Sequence, residues 1–190
     1  MHQLLEHIQA KLIATASRPF LIAIDGCCGS GKTTLANYLA KELNATVFHM
    51  DDFFLQPHQR TEARLTEPGG NVDYERFKDE VLTHIADADG VTFQPFSCSE
   101  WKLGSAVTVP YNDIVIVEGS YCQHPYFGNV YDVKIFLEIS KEEQKKRIVA
   151  RDGGSIWPMF EEKWIPMENL YFTTFQIKEN SSFHCVCENK

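Results

Sequence analysis

The segment Gly26-Cys27-Cys28-Gly29-Ser30-Gly31-Lys32-Thr33 organises the chain around it. It matches the pattern G-x-x-x-x-G-K-[ST], in which a glycine-rich loop curls until successive backbone N–H groups face a phosphate. The lysine of this pattern reaches the β- and γ-phosphate oxygens, and the hydroxyl of its last residue binds Mg²⁺. The segment therefore predicts a nucleoside triphosphate site, with contacts from Gly26, Gly29, Ser30, Gly31, Lys32, Thr33 and Thr34.

The residues on both sides of this loop fit a strand–loop–helix unit. Phe20–Asp25 is a short apolar run that ends in an acid, as expected of a buried parallel strand. In residues 33–43, Leu35, Leu39 and Leu43 recur every four positions and mark one apolar stripe of a helix. Since a helix that begins directly after the loop turns its N-terminus toward the phosphate, the flanking sequence supports the same site.

Length and composition indicate one domain. The chain has 190 residues, 44% of them apolar and 23% charged, which suits a single α/β domain over residues 1–190. The net charge of −8 argues against a nucleic-acid surface, which would need a basic face. No apolar run approaches the ~18 residues of a membrane-spanning helix, and residues 1–16 lack a signal-peptide pattern. We therefore expect neither a nucleic acid nor a membrane as partner.

The six cysteines are typical of a reducing compartment. Cys27 and Cys28 lie inside the loop, and the others are scattered, without a C-x-x-C pair or the histidine spacing of a zinc site. Cys185 and Cys187 either bind a metal or oxidise, or simply share one face of a terminal strand. The pattern predicts a cytoplasmic protein without a disulfide framework.

Strand-like and helix-like segments alternate along the chain, which is the pattern of a parallel α/β sheet. Further strands are predicted at 45–50, 114–117, 133–139 and 182–187, and further helices at 1–16, 73–86, 141–151 and 159–172. Residues 91–96 and 106–109 predict a hairpin at the edge of the sheet, and 55–72 a long polar loop. The expected fold is the three-layer P-loop NTPase fold, a mostly parallel central sheet with helices on both faces.

The apolar faces of the first helix and of residues 157–175 fit the core of this domain. Alternatively, they form a contact between copies of the chain, so a homo-oligomer stays open at this point. The core is the preferred interpretation.

Acidic residues follow two of the predicted strands. Asp51 and Asp52 come directly after the strand 45–50, and Glu118 comes directly after 114–117. Because ligands bind outside the C-terminal ends of parallel strands, we expect these carboxylates near the phosphate loop. There they would hold Mg²⁺, directly or through water, or orient a nucleophile. Asp51 and Asp52 are both candidate bases for an acceptor hydroxyl.

A basic helix supplies candidate cations for the phosphates. Arg147 and Arg151 lie one helical turn apart in the helix 141–151 and share one face. Gly153-Gly154 follows, so Arg151 would stand at the start of a mobile lid, the region of about residues 147–160. The alternative is a solvated basic face. No guanine-reading N-K-x-D segment occurs, which argues against a regulatory GTPase.

Five segments occur in the order of one known family. They are Gly26–Thr34, Met50–Phe54, Asn71–Tyr74, Val117–Gly119 and Arg147–Asp152. On these segments the chain resembles, over about residues 20–152, the uridine kinase-type P-loop nucleoside kinases. Phosphoribulokinase, nicotinamide riboside kinase and pantothenate kinase are related to this group.

The resemblance implies roles for individual residues. Asp51 would accept the proton of the sugar's primary hydroxyl, and Asp73 would hydrogen-bond ribose hydroxyls as well as cap a helix. Glu118 would help Thr33 to hold Mg²⁺. Arg147 and Arg151 would belong to the lid over the phosphates.

The acceptor pocket is expected around Tyr74 and Phe96 and in the loop after Asp52. Tyr74 stands where uridine kinases often have histidine, and residues 96–102 do not reproduce the base-reading loop of that family.

The expected activity is ATP- and Mg²⁺-dependent phosphorylation of a nucleoside 5′-hydroxyl, with uridine and cytidine as the leading acceptors. One alternative is another small hydroxyl compound, such as nicotinamide riboside, pantothenate or a sugar phosphate. The other is a regulatory module that binds ATP without transferring phosphate. The paired acids at Asp51 and Asp52 count against a pure binder, since binding needs no base.

Overall fold

A computed structural model of the protein describes residues 2–188. The strands are β1 Phe20–Gly26, β2 Thr46–His49, β3 Val91–Phe93, β4 Phe96–Ser97, β5 Lys102–Leu103, β6 Val107–Val109, β7 Ile114–Glu118, β8 Val133–Glu138 and β9 Phe183–Val186. The α-helices are α1 His2–Ala14, α2 Lys32–Leu43, α3 Glu62–Thr66, α4 Tyr74–Phe77, α5 Lys141–Asp152, α6 Trp157–Met159 and α7 Ile165–Thr174. The predicted alternation of strands and helices is confirmed.

Five strands form the central sheet in the order β2-β7-β1-β8-β9. All four pairings are parallel, and β1 at the centre sets the register, with Ile22 opposite both Ile116 and Val133. The terminal strand predicted at 182–187 is confirmed as β9, which closes one edge. Apolar residues fill the inner strands because both of their faces are covered.

Helices cover both faces of this sheet. Leu21 and Ala23 of β1 point into one core cluster, and Ile22 and Ile24 point into the other. The first cluster includes side chains of α4, α7 and β3, and the second includes side chains of α1 and α2. This alternation follows from the two-residue period of a strand. It confirms the predicted three-layer architecture and places the apolar face of α1 in the core.

The predicted hairpin exists, but its predicted place at the edge of the central sheet is wrong. Strands β3 and β6 pair with each other in a separate two-stranded sheet, and β4 pairs with β5 in another. Phe93 of β3 packs its ring against Phe48 and Phe53, with ring centroids 5.8 and 5.2 Å apart. The hairpin therefore buries apolar side chains over β2 instead of extending its backbone ladder.

The segment between β2 and the hairpin is more ordered than a polar loop. It contains α3, whose Arg64 donates to the Glu75 carboxylate at 2.6 Å and to the carbonyl oxygen of Val72 at 3.0 Å. The helix predicted at 73–86 is present as α4 and a π-helical turn at Lys78–Leu82. Asp73 caps it as predicted, because its Oδ1 accepts from the N–H of Arg76 at 3.0 Å.

The C-terminal ends of three central strands meet at one edge of the sheet. There β1 leads into the phosphate-binding loop, β2 leads into Asp51, and β7 ends at Glu118. Glu118 lies in register with Ile24 on one side and with His49 on the other. Among residues 2–188, no helix has the length and apolar character needed to cross a membrane.

Candidate active site

The phosphate-binding loop follows β1 directly. Gly26 has a φ of 132°, and a Cβ at this position would lie 2.1 Å from the carbonyl oxygen of Leu137, so only glycine fits. Gly31, with a φ of 96°, is the residue from which α2 begins. The loop thus turns back over the N-terminus of α2, where backbone N–H groups and the helix dipole favour an anion.

Lys32 is a fixed cation beneath this loop. Its Nζ donates to the carbonyl oxygens of Gly26 at 2.7 Å and Cys27 at 3.0 Å, and to Ser120 Oγ at 3.2 Å. Burial by itself would lower the pKa of Lys32, but the nearby carboxylates of Glu168, Asp25 and Asp51 raise it above its ordinary value. The ammonium group therefore stays charged at neutral pH.

Thr33 and Glu118 lie together, as the magnesium prediction requires. The Thr33 hydroxyl donates to Glu118 Oε1 at 3.0 Å, and His49 Nδ1 is 2.6 Å from the same oxygen. This hydrogen bond raises the pKa of His49. No group of three or more His, Cys, Asp or Glu residues among residues 2–188 could hold a metal ion. A hydroxyl and one carboxylate suit Mg²⁺, which keeps several waters and takes further oxygens from phosphate.

The structure separates the two candidate bases. Asp51 lines the main cavity, whereas Asp52 does not. Asp51 is open to solvent in the cavity, but desolvation by the surrounding protein raises its pKa. Lys32 lowers this pKa, and the carboxylates of Glu118 and Glu168 raise it further. Asp52 instead uses its backbone carbonyl, which accepts from Arg76 Nη2 at 2.8 Å. Asp51 is the better placed of the two for a hydroxyl inside the cavity.

The main cavity has a volume of about 890 Å³ and joins the loop to an aromatic wall. Of the predicted site residues, it brings together Gly29, Gly31, Lys32, Thr33, Thr34, Asp51, Phe96, Glu118, Arg147 and Arg151. Phe54, Phe96, Trp101 and Asn71 also line the cavity, and so does Arg60, whose guanidinium lies 5.3 Å from the Trp101 ring centroid. This volume lies within the range of about 300–1,000 Å³ that is typical of small-molecule sites.

Four predicted residues do not line this cavity: Gly26, Ser30, Asp73 and Tyr74. Asp73 is 3% exposed, and Gln59 Nε2 donates to its Oδ2 at 2.7 Å while its other oxygen caps α4. The Tyr74 ring stacks on His124 with centroids 4.2 Å apart, under the Arg64 guanidinium. In this conformation both side chains are engaged within the protein, and their contact with a substrate stays a prediction.

The two arginines of α5 line the cavity from the lid side. Arg147 Nε donates to Glu143 at 2.8 Å, and its guanidinium also reaches the carbonyl oxygen of Gly29 at 3.4 Å. Arg151 pairs with Asp152 at 2.7 Å. Gly153, with a φ of 89°, ends α5 and leads to α6. The predicted lid region therefore begins as a regular helix that already contacts the phosphate-binding loop.

Glu168 of α7 is a site residue that sequence reasoning missed. Its carboxylate accepts from the N–H of Cys28 at 3.0 Å and from Ser120 Oγ at 2.5 Å, and the residue is 6% exposed. One signal was readable in advance: Glu168 lies three and four positions before Tyr171 and Phe172, so an acid stands on the apolar face of a helix. Ser120, which follows β7 and Gly119, carried no comparable signal.

Comparison with known proteins identifies the family of the chain. The family model described as AAA domain matches residues 22–163, about three quarters of the chain. The chain is 27% identical over 144 residues to a uridine kinase of Ureaplasma parvum serovar 3, covering 70% of this chain and 69% of that one. It is 29% identical over 157 residues to nicotinamide riboside kinase 1 of Homo sapiens, covering 75% of both.

Solved structures share the fold. A possible uridine kinase from Bacillus stearothermophilus superimposes with a TM-score of 0.71 at 18% identity, covering 96% of this chain and 97% of that one. A putative fructose transport system kinase from Silicibacter sp. TM1040 gives 0.65 at 22% identity, with the same coverage. The phosphate-binding loop and the acids at the strand ends lie at one edge of the sheet, and the family model spans them. The chain therefore belongs to the AAA domain family of P-loop proteins and is a uridine kinase-like phosphotransferase with an alcohol acceptor.

Proposed function

We propose that this protein transfers the γ-phosphate of ATP to the 5′-hydroxyl of a nucleoside, with uridine and cytidine as the first acceptors to test. The observation that carries the proposal is the presence of Lys32, Asp51 and the Thr33–Glu118 pair around one cavity with an aromatic wall. A protein that only binds ATP needs no general base, whereas Asp51 lines the cavity beside the loop that would bind the phosphates.

The loop and the lid would hold the donor. Backbone N–H groups of residues 26–33 and the Lys32 ammonium gather the charge that spreads over the transferred group. Thr33 and Glu118 would hold Mg²⁺, which neutralises charge on the β- and γ-phosphate oxygens when it is bound. Arg147 and Arg151 also line the cavity, with the Arg147 guanidinium 3.4 Å from the carbonyl oxygen of Gly29, where they would add positive charge and exclude water.

Asp51 would orient the acceptor. Transfer of the γ-phosphoryl group breaks its bond to the β-phosphate oxygen and forms a bond to the 5′-oxygen, while the hydroxyl proton goes to the Asp51 carboxylate. Phe96 and Trp101 offer aromatic surface, with ring centroids 6.3 Å apart at 88°. Aromatic faces of this kind suit the planar base of a nucleoside.

Nicotinamide riboside is the second candidate acceptor. The similarity to nicotinamide riboside kinase 1 of Homo sapiens, at 29% identity, favours it as much as the uridine kinase similarity favours uridine. Both molecules present a ribose 5′-hydroxyl, so the same base and donor site serve either one.

A panel of acceptors tests the proposal. ADP release from ATP·Mg²⁺ would be followed with uridine, cytidine, nicotinamide riboside, pantothenate and sugar phosphates. The proposal expects strong stimulation by uridine or cytidine. Stimulation by nicotinamide riboside alone would keep Asp51 and the donor site but reassign the pocket. A slow hydrolysis rate that no acceptor changes would contradict transfer altogether.

A further inference from the structure

The phosphate-binding loop already holds an anion, which is the side chain of Glu168. Its Oε2 accepts the N–H of Cys28 at 3.0 Å, and this N–H belongs to the loop whose amides are built to face phosphate. Its Oε1 lies 2.5 Å from Ser120 Oγ. Ser120 Oγ in turn is 3.2 Å from Lys32 Nζ. One carboxylate thus contacts a backbone N–H of the phosphate-binding loop, residues 26–33, which we also call the phosphate cradle. Through Ser120 it also contacts Lys32 of the same motif.

Contacts on both backbone groups of Cys28, and on the carbonyl before it, hold this part of the loop in place. Gln144 of α5, which is 4% exposed, donates its Nε2 to the Cys28 carbonyl oxygen at 2.9 Å. The Cys27 carbonyl shares its peptide plane with the Cys28 N–H, and it accepts from Lys32 Nζ at 3.0 Å and from the N–H of Ser30 at 3.1 Å. The N–H therefore cannot readily turn away from Glu168. A change in this contact must therefore come from the Glu168 side chain.

A carboxylate and a triphosphate cannot share this cradle without cost. Two anions that lie within a few ångströms in a buried site repel each other strongly, and only one of them can accept a given N–H. Glu168 is buried, so little water screens it. Without nucleotide, the same contacts favour the carboxylate, since they neutralise Lys32 and satisfy the Cys28 amide.

We propose that Glu168 is an internal ligand of the phosphate cradle, which ATP must displace, and that it thereby weakens the affinity of the enzyme for nucleotide. The inference rests on the proposed function, in which this loop binds the donor phosphates. If Glu168 fills the cradle in about nine of ten nucleotide-free molecules, the apparent Kd for nucleotide is about tenfold higher than the intrinsic Kd. Glu168 acts here on binding and takes no part in moving the hydroxyl proton.

The test compares Glu168→Gln with wild type by calorimetric titration of ADP·Mg²⁺ and, separately, of inorganic tripolyphosphate. Glutamine keeps the size and an accepting oxygen but removes the charge. We expect Glu168→Gln to bind both ligands about tenfold more tightly. Tripolyphosphate has no base or ribose, so a matching gain with both ligands assigns the effect to the phosphate cradle.

Glu162→Gln is the matched control, because it removes the same charge from an exposed position six residues earlier. It should change either Kd by less than about twofold, as expected of a solvated surface charge. If Glu168→Gln does not fold, Ser120→Ala replaces it, since this change removes the hydroxyl that holds Oε1 and should also tighten binding. The thermal melting temperature of each variant reports on folding.

Unchanged or weaker binding of both ligands by folded Glu168→Gln would overturn the inference and leave the kinase proposal intact. A fall in kcat at unchanged Kd would also overturn it, because Glu168 would then act in the transfer step. If wild-type protein binds neither ligand, the proposed donor site is wrong and this inference fails with it.

Discussion

Asp51→Asn should lower kcat by about 10²–10³-fold with uridine as acceptor. A positioned general base contributes about 10²–10⁴-fold, and the loose transition state of phosphoryl transfer places the loss in the lower part of this range. The loss corresponds to about 3–4 kcal/mol of transition-state stabilisation. The KM for uridine should change little, because asparagine still hydrogen-bonds the hydroxyl.

Asp52→Asn is the matched control for this change. The Asp52 side chain does not line the cavity, and its carbonyl contact with Arg76 does not depend on the carboxylate. We expect kcat within about threefold of wild type, as for a substitution outside the machinery. Both variants should melt near the wild-type temperature. In Asp51→Asn, relief of the repulsion from Glu118 and Glu168 offsets the lost attraction to Lys32.

The pH profile adds an independent check on Asp51. Only its ionised form accepts a proton, so the rate falls as pH drops through its pKa. Desolvation together with Glu118 and Glu168 raises this pKa above the ordinary 3.8 in the free enzyme, so the acidic limb of kcat/KM should lie above pH 3.8. The assay is coupled ADP release with ATP·Mg²⁺ and uridine both below their KM values, so that the rate follows kcat/KM. A kcat of Asp51→Asn close to wild type, or an inactive Asp52→Asn, would refute the assignment.

Three further predictions concern the loop and the core. Lys32→Ala should lower ATP turnover by about 10²–10³-fold while far-UV circular dichroism stays that of a folded protein; wild-type turnover would remove the loop from the mechanism. Gly26→Ala should lower Tm by about 6–12 °C, because its Cβ meets the Leu137 carbonyl. Gly154→Ala, whose Cβ would meet only a Val149 side-chain carbon at 4.0 Å and whose φ is not positive, should cost far less by calorimetry. Burial lowers the pKa of His124 from 6.5 to about 4. The contribution of the neutral His124 ring to the free energy of unfolding is therefore complete above pH 6.5 and is lost as the pH falls toward 4. The loss is about 3 kcal/mol. In His124→Phe, the free energy of unfolding measured with urea should depend less on pH between 6.5 and 4. An equally steep dependence in this variant would contradict a neutral, stacked His124 ring.

Much of the fold was readable because its signals are local. The glycine pattern at 26–33 and the apolar runs before Asp51 and Glu118 each lie within a few residues. Parallel strands end at one edge, so acids separated by 67 residues could be placed beside the same loop from sequence alone. The N-cap at Asp73 is local in the same way.

The remaining features depend on contacts between distant segments. The contact from Cys28 to Glu168 spans 140 residues, and it exists only because α7 packs across the loop. The hairpin of β3 and β6 has the alternation of an edge strand, but burial of Phe93 against Phe48 and Phe53 decided its place. The sequence predicts Tyr74 in the acceptor pocket, but in the structure its ring stacks on His124, contacts Arg64 and does not line the cavity.

Transfer of labelled phosphate tests the central claim most directly. Wild-type protein and Lys32→Ala would be incubated with ATP labelled in its γ-phosphate, Mg²⁺ and either uridine or nicotinamide riboside, and the products would be separated and identified. The account predicts label in the 5′-monophosphate of an acceptor with wild-type protein and almost none with Lys32→Ala. Label found only in inorganic phosphate, at the same rate with and without acceptor, would contradict it.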